Sequence, residues 1–152
     1  MIAIMMVVGV WAMAQAPVPV KWRASARMTS ATEGVLTVKA TVQPGWHLYG
    51  MDIPAGGPKA TSFDLAGCKG VEFIGPMTAS VKPVAVHDAQ FGMDVTWWEG
   101  SVSFTRRFRK TAAAPVIDLS VTYMGCNDQT CAPPRTERLN ARILPMKEKT
   151  VK

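Results

Sequence analysis

The chain has no apolar run of the roughly twenty residues that a membrane-spanning helix requires. Its one sizeable apolar stretch, Met1 to Ala14, stops short of that length. It has only three cysteines, and no second ligand pair accompanies them at the spacing zinc sites use, so a structural metal finds little support. No internal repeat, low-complexity segment or inter-domain linker divides the chain, and one domain is the default. The i, i+3, i+4 apolar spacing of amphipathic helices does not recur. No nucleic-acid recognition motif accompanies the basic residues, which excludes the most obvious reading of a basic chain.

What is present fits one globular domain with a core: 152 residues, 48% hydrophobic and 18% charged. The net charge of +6 is clustered, in Arg106, Arg107, Arg109 and Lys110 and again in Arg135, Arg138, Arg142, Lys147, Lys149 and Lys152. Such clusters form a solvated face, or attract acidic partners or anionic lipid. Residues 1–14 are apolar and uncharged and end in Ala12-Met13-Ala14. That small-x-small ending predicts a signal peptide cleaved before Gln15, leaving a domain over 15–152. No positive segment precedes the apolar run, which is compatible with a start codon further upstream.

Strand signals recur through the body. Lys21 to Met28 places Trp22, Ala24, Ala26 and Met28 on one face; Val35 to Val42 aligns Leu36, Val38, Ala40 and Val42; Ser101 to Phe108 aligns Val102, Phe104 and Phe108. Val116 to Tyr123 aligns Ile117, Leu119, Val121 and Tyr123, and Thr136 to Leu144 aligns Glu137, Leu139, Ala141 and Ile143. Pro44-Gly45, Gly56-Gly57-Pro58, Gly75-Pro76 and Glu99-Gly100 supply turn chemistry between strands. About seven or eight short strands so punctuated predict an all-β sandwich.

Cys126 and Cys131 stand between the last two strand patterns, at the mouth of a hairpin, close enough to bridge if their Cβ vectors agree. A bridge over so short a loop stabilises by only about 2 kcal/mol in the chain-entropy picture, against roughly 3 for a fifteen-residue loop. Stability is thus a weak reason to place one there, and an exposed bridge of this kind is one that exchanges. A plain structural staple in an exported domain and a pair of metal-ligating thiolates are the alternatives. In Trp46-His47-Leu48-Tyr49, simple alternation would turn Trp46 and Leu48 inward and His47 and Tyr49 outward.

The run Val121-Thr-Tyr-Met-Gly-Cys-Asn-Asp-Gln-Thr-Cys-Ala-Pro-Pro134 resembles the active-site segment of the N-terminal periplasmic domain of the thiol:disulfide interchange protein DsbD. Pro44-Gly-Trp-His-Leu-Tyr49, followed by Gly56-Gly57-Pro58, resembles a second recurrent segment of that family, and the two occur in the family's order. The likeness spans Trp22 to Leu144. It implies an immunoglobulin-like β-sandwich that relays electrons through the Cys126–Cys131 pair, with no cofactor and no metal. By the resemblance Cys131 is the attacking thiol, and His47 and Tyr49 occupy the ring positions beside the cysteines. An imidazolium at His47 would stabilise a thiolate. Val86-His-Asp-Ala-Gln-Phe-Gly92 resembles the family's cap loop: Asp88 matches the acidic position, Gln90 stands at the usual capping position, Phe91 follows it, and Gly92 supplies backbone freedom. The spacing departs from the family member compared, which has one more residue between its cysteines.

The resemblance further implies periplasmic, thioredoxin-like partners engaged through transient mixed disulfides, with no nucleic acid. The membrane-spanning and thioredoxin-like domains that follow in full-length DsbD have no counterpart in these residues, so a membrane-embedded electron donor would be supplied by another protein. The rival reading is a non-catalytic exported β-sandwich binding module with a structural disulfide. Cys68, the odd cysteine, is expected to be a buried free thiol. Ten methionines raise copper binding, but four of them fall in the leader, the rest are scattered and only Met124 adjoins the cysteines.

Overall fold

Alternation of apolar and polar residues becomes twelve strands in the computed structural model, which describes residues 14–148. The leader expected over 1–14 lies outside the described residues except for Ala14, as do the basic residues beyond 148. The strands are β1 (Val20–Met28), β2 (Glu33–Val42), β3 (His47–Tyr49), β4 (Ser62–Asp64), β5 (Val71–Ala79), β6 (Val84–Asp88), β7 (Met93–Trp98), β8 (Ser101–Lys110), β9 (Ile117–Tyr123), β10 (Gly125–Cys126), β11 (Arg135–Ala141) and β12 (Ile143–Leu144). One layer is a sheet of order β12-β1-β2-β8-β5. The other joins two smaller sheets, β11-β9-β4 and β10-β3-β7-β6, because β9 runs into β10 with only Met124 between them.

The expected inward faces meet between these layers. Leu36, Val38, Ala40 and Val42 of β2 and Val102, Phe104 and Phe108 of β8 pack in one cluster with Ile117, Leu119, Val121 and Tyr123 of β9. Leu48 of β3 and Trp98 of β7 join the same core. Aromatic edges tie the layers: Trp98 meets Phe104 at 5.1 Å between ring centres, and Trp22 meets Tyr123 at 5.3 Å. Such pairs add about 1 kcal/mol each beyond the area they bury. The all-β sandwich expected from turn-punctuated alternation is the fold.

Three details differ from the sequence reading. There are more strands than seven or eight, because β3, β4, β10 and β12 are two- or three-residue pieces too short to show a period. The stretch from Thr136 to Leu144 is two strands. Arg135–Ala141 pairs antiparallel with β9, whereas Ile143 and Leu144 pair parallel with Ala26 and Arg27 of β1, in the other layer. The apolar alternation runs through Arg142 unbroken, so a change of partner leaves no trace in it. The Arg106–Lys110 group does not form one face. Arg106 turns to the β5 edge, its guanidinium 5.2 Å from the centre of the Phe73 ring and its Nε donating to Gly75 O at 2.6 Å, while Arg107 pairs with Glu33 at 2.8 Å.

Cys68 is free and packs partly buried against the core, its Sγ 3.4 Å from Asp118 O. Burial pushes its thiol pKa up, and the hydrogen bond to that carbonyl only partly offsets this, so the thiol stays protonated.

The core geometry sets a scale for substitutions. Phe104→Ala removes a fully buried ring in contact with Trp22, Phe63 and Trp98. It is expected to lower the unfolding free energy by about 3–5 kcal/mol, whereas Arg107→Gln, which breaks an exposed ion pair, costs less than about 1 kcal/mol. Urea unfolding of both variants checks the contrast, and equal effects would contradict this placement of the core.

Candidate functional site

Strand β3 has two buried faces, which corrects the expectation that His47 and Tyr49 point outward. Leu48 faces the core between the layers, and Tyr49 faces the opposite way into a second, smaller cluster with Val95, Met124 and Cys126. Phe91, Trp97, Met93, Val86, Ile53 and Cys131 pack around that cluster. A strand buried on both sides reads as a dense run of rings and apolar residues, and alternation alone cannot show that its outer face is covered.

The disulfide sits at this cluster. Cys126 and Cys131 are bridged, with Cα atoms 4.0 Å apart. Gly125 and Cys126 of β10 pair antiparallel with Leu48 and His47, so His47 and Cys126 are directly opposite and their side chains share one face. Gly125 is required there: a Cβ would stand 2.8 Å from Pro19 Cγ and 3.2 Å from His47 O. Between the cysteines, Asn127 closes the loop, its side-chain oxygen accepting from the Gln129 and Thr130 amides at 2.9 and 2.8 Å. Its own amide donates to Thr130 O at 2.9 Å, and the Ala132 amide donates to Gly125 O at the same distance. The two sulfurs are unequal: Cys126 is 0% exposed, while Cys131 is partly open.

Asp88 ends β6 buried and holds the site from one side. The Tyr49 hydroxyl donates to Oδ2, and the Gln90 and Phe91 amides donate to Oδ1 at 2.8 and 3.3 Å. The Gly92 amide returns to Asp88 O at 2.7 Å. Gly92 takes φ +64°, the left-handed conformation that closes this turn without a Cβ penalty. The Asp88–Gly92 segment is therefore a tight loop anchored on one carboxylate. Its Gln90 side chain reaches over the cysteine loop, Nε2 donating to Asn127 O at 2.7 Å and Oε1 lying 3.4 Å from Cys131 Sγ. A bridged sulfur carries no proton, so the last is a packing contact. Phe91 packs edge-on to Tyr49 at 5.9 Å, against the cluster that holds Cys126, while Gln90 reaches the Cys131 side of the bridge.

His47 is 4% exposed and stacks on Trp97 with ring centres 3.6 Å apart. Its Nε2 has no hydrogen-bond partner among the described residues. Burial pulls the imidazole pKa down, and the charges of Asp88, Glu99 and Asp128 only partly offset that, so the ring is neutral at pH 7. For Asp88, burial pushes upward, but the hydrogen bonds from Tyr49, Gln90 and Phe91 and the attraction of His47 outweigh it, so the carboxyl titrates below its usual range. Tyr49 is pushed up, by burial first and then by its bond to Asp88, and stays a hydroxyl donor. A cleft of about 220 Å³ opens over this group, lined by His47, His87, Asp88, Gln90, Trp97 and Asn127 among others.

The structure thus brings together all five residues expected at the site, Cys126, Cys131, Asp88, His47 and Tyr49, with Gln90, Phe91 and Gly92 in the loop beside them. Trp97 and Asn127 were not singled out from sequence. The Trp97-Trp98 doublet held the only signal for the first, since in a strand one ring of such a pair must leave the core. No cluster of three or more metal-ligating side chains occurs among the described residues.

A family model described as the N-terminal domain of the thiol:disulfide interchange protein DsbD matches residues 14–142. Among solved structures, the N-terminal periplasmic domain of ScsB from Proteus mirabilis is similar with a TM-score of 0.57 and 20% identity, over 80% of this chain and 45% of that one. The reduced DsbD N-terminal domain of Neisseria meningitidis is similar with a TM-score of 0.51 and 17% identity, over 72% of this chain and 81% of that one. These likenesses show the fold, an immunoglobulin-like β-sandwich. This chain spans under half the length of the ScsB chain it matches. No curated protein sequence matches.

The Asp88 geometry carries a pH signature. Its folded pKa is depressed below the unfolded value of about 3.9, so its stabilisation is present above that value and is lost as pH falls through the folded one. Asp88→Asn is expected to cost about 2 kcal/mol at neutral pH, with the gap to wild type closing below about pH 4. Urea unfolding across pH measures this, and a gap that stays constant into acid would rule out the carboxylate charge as the anchor.

Proposed function

The chain belongs to the DsbD N-terminal domain family, and from that premise we propose that it is a periplasmic thiol:disulfide oxidoreductase working through Cys126 and Cys131. The family supports thiol-disulfide exchange as its role. The observation that carries the reading to this chain is the unequal exposure of the bridged sulfurs, with Cys126 sealed in the second cluster and Cys131 partly open beneath a polar side chain. A structural staple has no need of such an arrangement; an exchanging bridge needs one sulfur that can be reached.

In the proposed cycle a thiolate of a thioredoxin-like donor attacks Cys131 Sγ. A donor–Cys131 bond forms, the Cys126–Cys131 bond breaks, and Cys126 leaves as a thiolate. The donor's second thiolate then attacks its own sulfur in the mixed disulfide and releases Cys131, so two electrons have passed to the cysteine pair and the donor is oxidised. Toward the acceptor, the Cys131 thiolate attacks the acceptor disulfide, and Cys126 attacks Cys131 Sγ to restore the bridge and release the reduced acceptor. His47, opposite Cys126 on the paired strand, is assigned to the proton and charge balance of that buried thiolate. Tyr49 and Asp88 position the cap loop, and Gln90 and Phe91 cover the bridge between encounters.

Three measurements test this. The bridge is expected to equilibrate with thiol buffers in the range of catalytic couples, roughly −270 to −120 mV, and not below about −300 mV where structural bridges lie. Gln90→Ala is expected to speed reduction by a small thiol roughly fivefold, the equivalent of one lost hydrogen bond, with Phe91→Ala acting in the same direction. Cys126→Ser is expected to trap a mixed disulfide through Cys131 with a thioredoxin-like protein. A bridge that resists reduction in that range, together with no trapped adduct, would make the pair a staple and the domain a binding module.

A further inference from the structure

The outer face of the five-stranded sheet is a basic surface whose arrangement the fold does not explain. On β1 the core takes Trp22, Ala24 and Ala26, which leaves Lys21, Arg23, Ser25 and Arg27 outward. In register with them lie Thr41, Lys39, Thr37 and Val35 of β2, and beyond these Ser101, Ser103, Thr105 and Arg107 of β8. Toward β5 the charges are balanced, since Glu33 pairs with Arg107 and Arg109 at 2.8 and 3.8 Å and Glu72 pairs with Arg109 at 3.5 Å. Toward β1 they are not. Lys21, Arg23 and Lys39 form no salt bridge with any described carboxylate. The nearby Glu137 lines the same depression but accepts from the Tyr123 hydroxyl at 2.8 Å. Arg23 stands directly opposite Lys39, and like charges directly opposite across a strand pair weaken the sheet.

Exposed apolar residues rim this basic row at both ends. Val18, 45% exposed, adjoins Lys21. Leu144, 37% exposed and in register with Arg27, shares a shallow depression with Arg27 and Lys147, and Met146 beyond it is 51% exposed. Basic side chains flanked by exposed apolar ones are the composition of surfaces that lie at a lipid interface. On the opposite outer face, which holds the disulfide, Asp128 acts on His47 and Asp94 lies exposed beside His87.

We propose that the Lys21–Arg23–Lys39 face docks the domain on an anionic phospholipid bilayer, with the disulfide turned away from the lipid. The charges extend about 20 Å along β1 from Lys21 to Arg27, with hydroxyl residues between them. A plane of laterally mobile headgroup charges suits that spread, whereas an acidic protein would have to match it carboxylate by carboxylate. Because these cations lie on one face, the field both attracts the domain and orients it. Docked this way, the domain leaves Cys131 and the cap loop open to soluble thioredoxin-like domains.

Sedimentation with vesicles tests the proposal. The chain is expected to bind phosphatidylcholine vesicles containing phosphatidylglycerol, to leave pure phosphatidylcholine vesicles in solution, and to be released by salt. Lys21→Gln/Arg23→Gln/Lys39→Gln is expected to weaken binding roughly a hundredfold, about fivefold per charge, with the rate of bridge reduction unchanged. Its melting temperature is expected to match or exceed the wild type, because Arg23 and Lys39 no longer repel. Should the triple variant unfold, Arg23→Gln alone is expected to lose roughly fivefold. Binding equal on both vesicles, binding indifferent to salt and to these substitutions, or binding to soluble polyglutamate in preference to the vesicles would each overturn it, the last in favour of an acidic protein partner.

Discussion

The site depends on one buried carboxylate. Asp88 accepts from the Tyr49 hydroxyl through one oxygen and from two successive amides of its own turn through the other, so a single ionised group binds the second hydrophobic cluster to the loop above it. Charge-assisted hydrogen bonds of this kind are roughly twice as strong as neutral ones, and a buried carboxylate that lost them would bear its full desolvation cost. The loop, the ring and the carboxylate consequently move as a unit. A partner that lifts Gln90 from the bridge must either bend the loop at Gly92, where φ is already positive, or disturb the Tyr49 contact.

The second constraint is that β3 is wedged between two apolar clusters. Leu48 anchors it in the main core, and the face carrying His47 and Tyr49 forms the floor of the site. Because Gly125 and Cys126 pair with this strand, the buried half of the disulfide is fixed to rigid β-structure, while Cys131 belongs to the loop. That division gives one sulfur a fixed position and the other access. It also leaves an imidazole beside the buried sulfur in surroundings that keep it neutral, where the arrival of a thiolate would draw a proton toward it. The same layering separates the bridge from the basic face of the five-stranded sheet.

Much of this was legible in the residues. Period-two alternation marks β1, β2, β8 and β9 because each has one face on a continuous core, and the position of the cysteines after β9 with Pro133-Pro134 behind them marks the candidate site. Alternation failed where a strand changes partner, at Arg142, or where both its faces are covered, at His47 and Tyr49, since sequence records a residue's chemistry and not which neighbour covers it. The β5, β6 and β7 strands were missed for a related reason: β5 and β6 are edge strands with partly exposed residues on both faces, and Trp97 and Trp98 are adjacent rings serving different clusters.

The sequence by itself therefore determined the all-β class, the main core face and the identity of the cysteine pair, because these rest on local period and on residue types that serve few purposes. Only the tertiary structure decided which sulfur is sealed, that Gln90 reaches Cys131 while Phe91 packs on Tyr49, that His47 is buried with no partner for Nε2 among the described residues, and that Lys21, Arg23 and Lys39 share the face away from the disulfide. Each of those is a relation between segments tens of residues apart. Burial, pKa and access arise only when such segments share a surface, through the desolvation and the contacts that each imposes on the other.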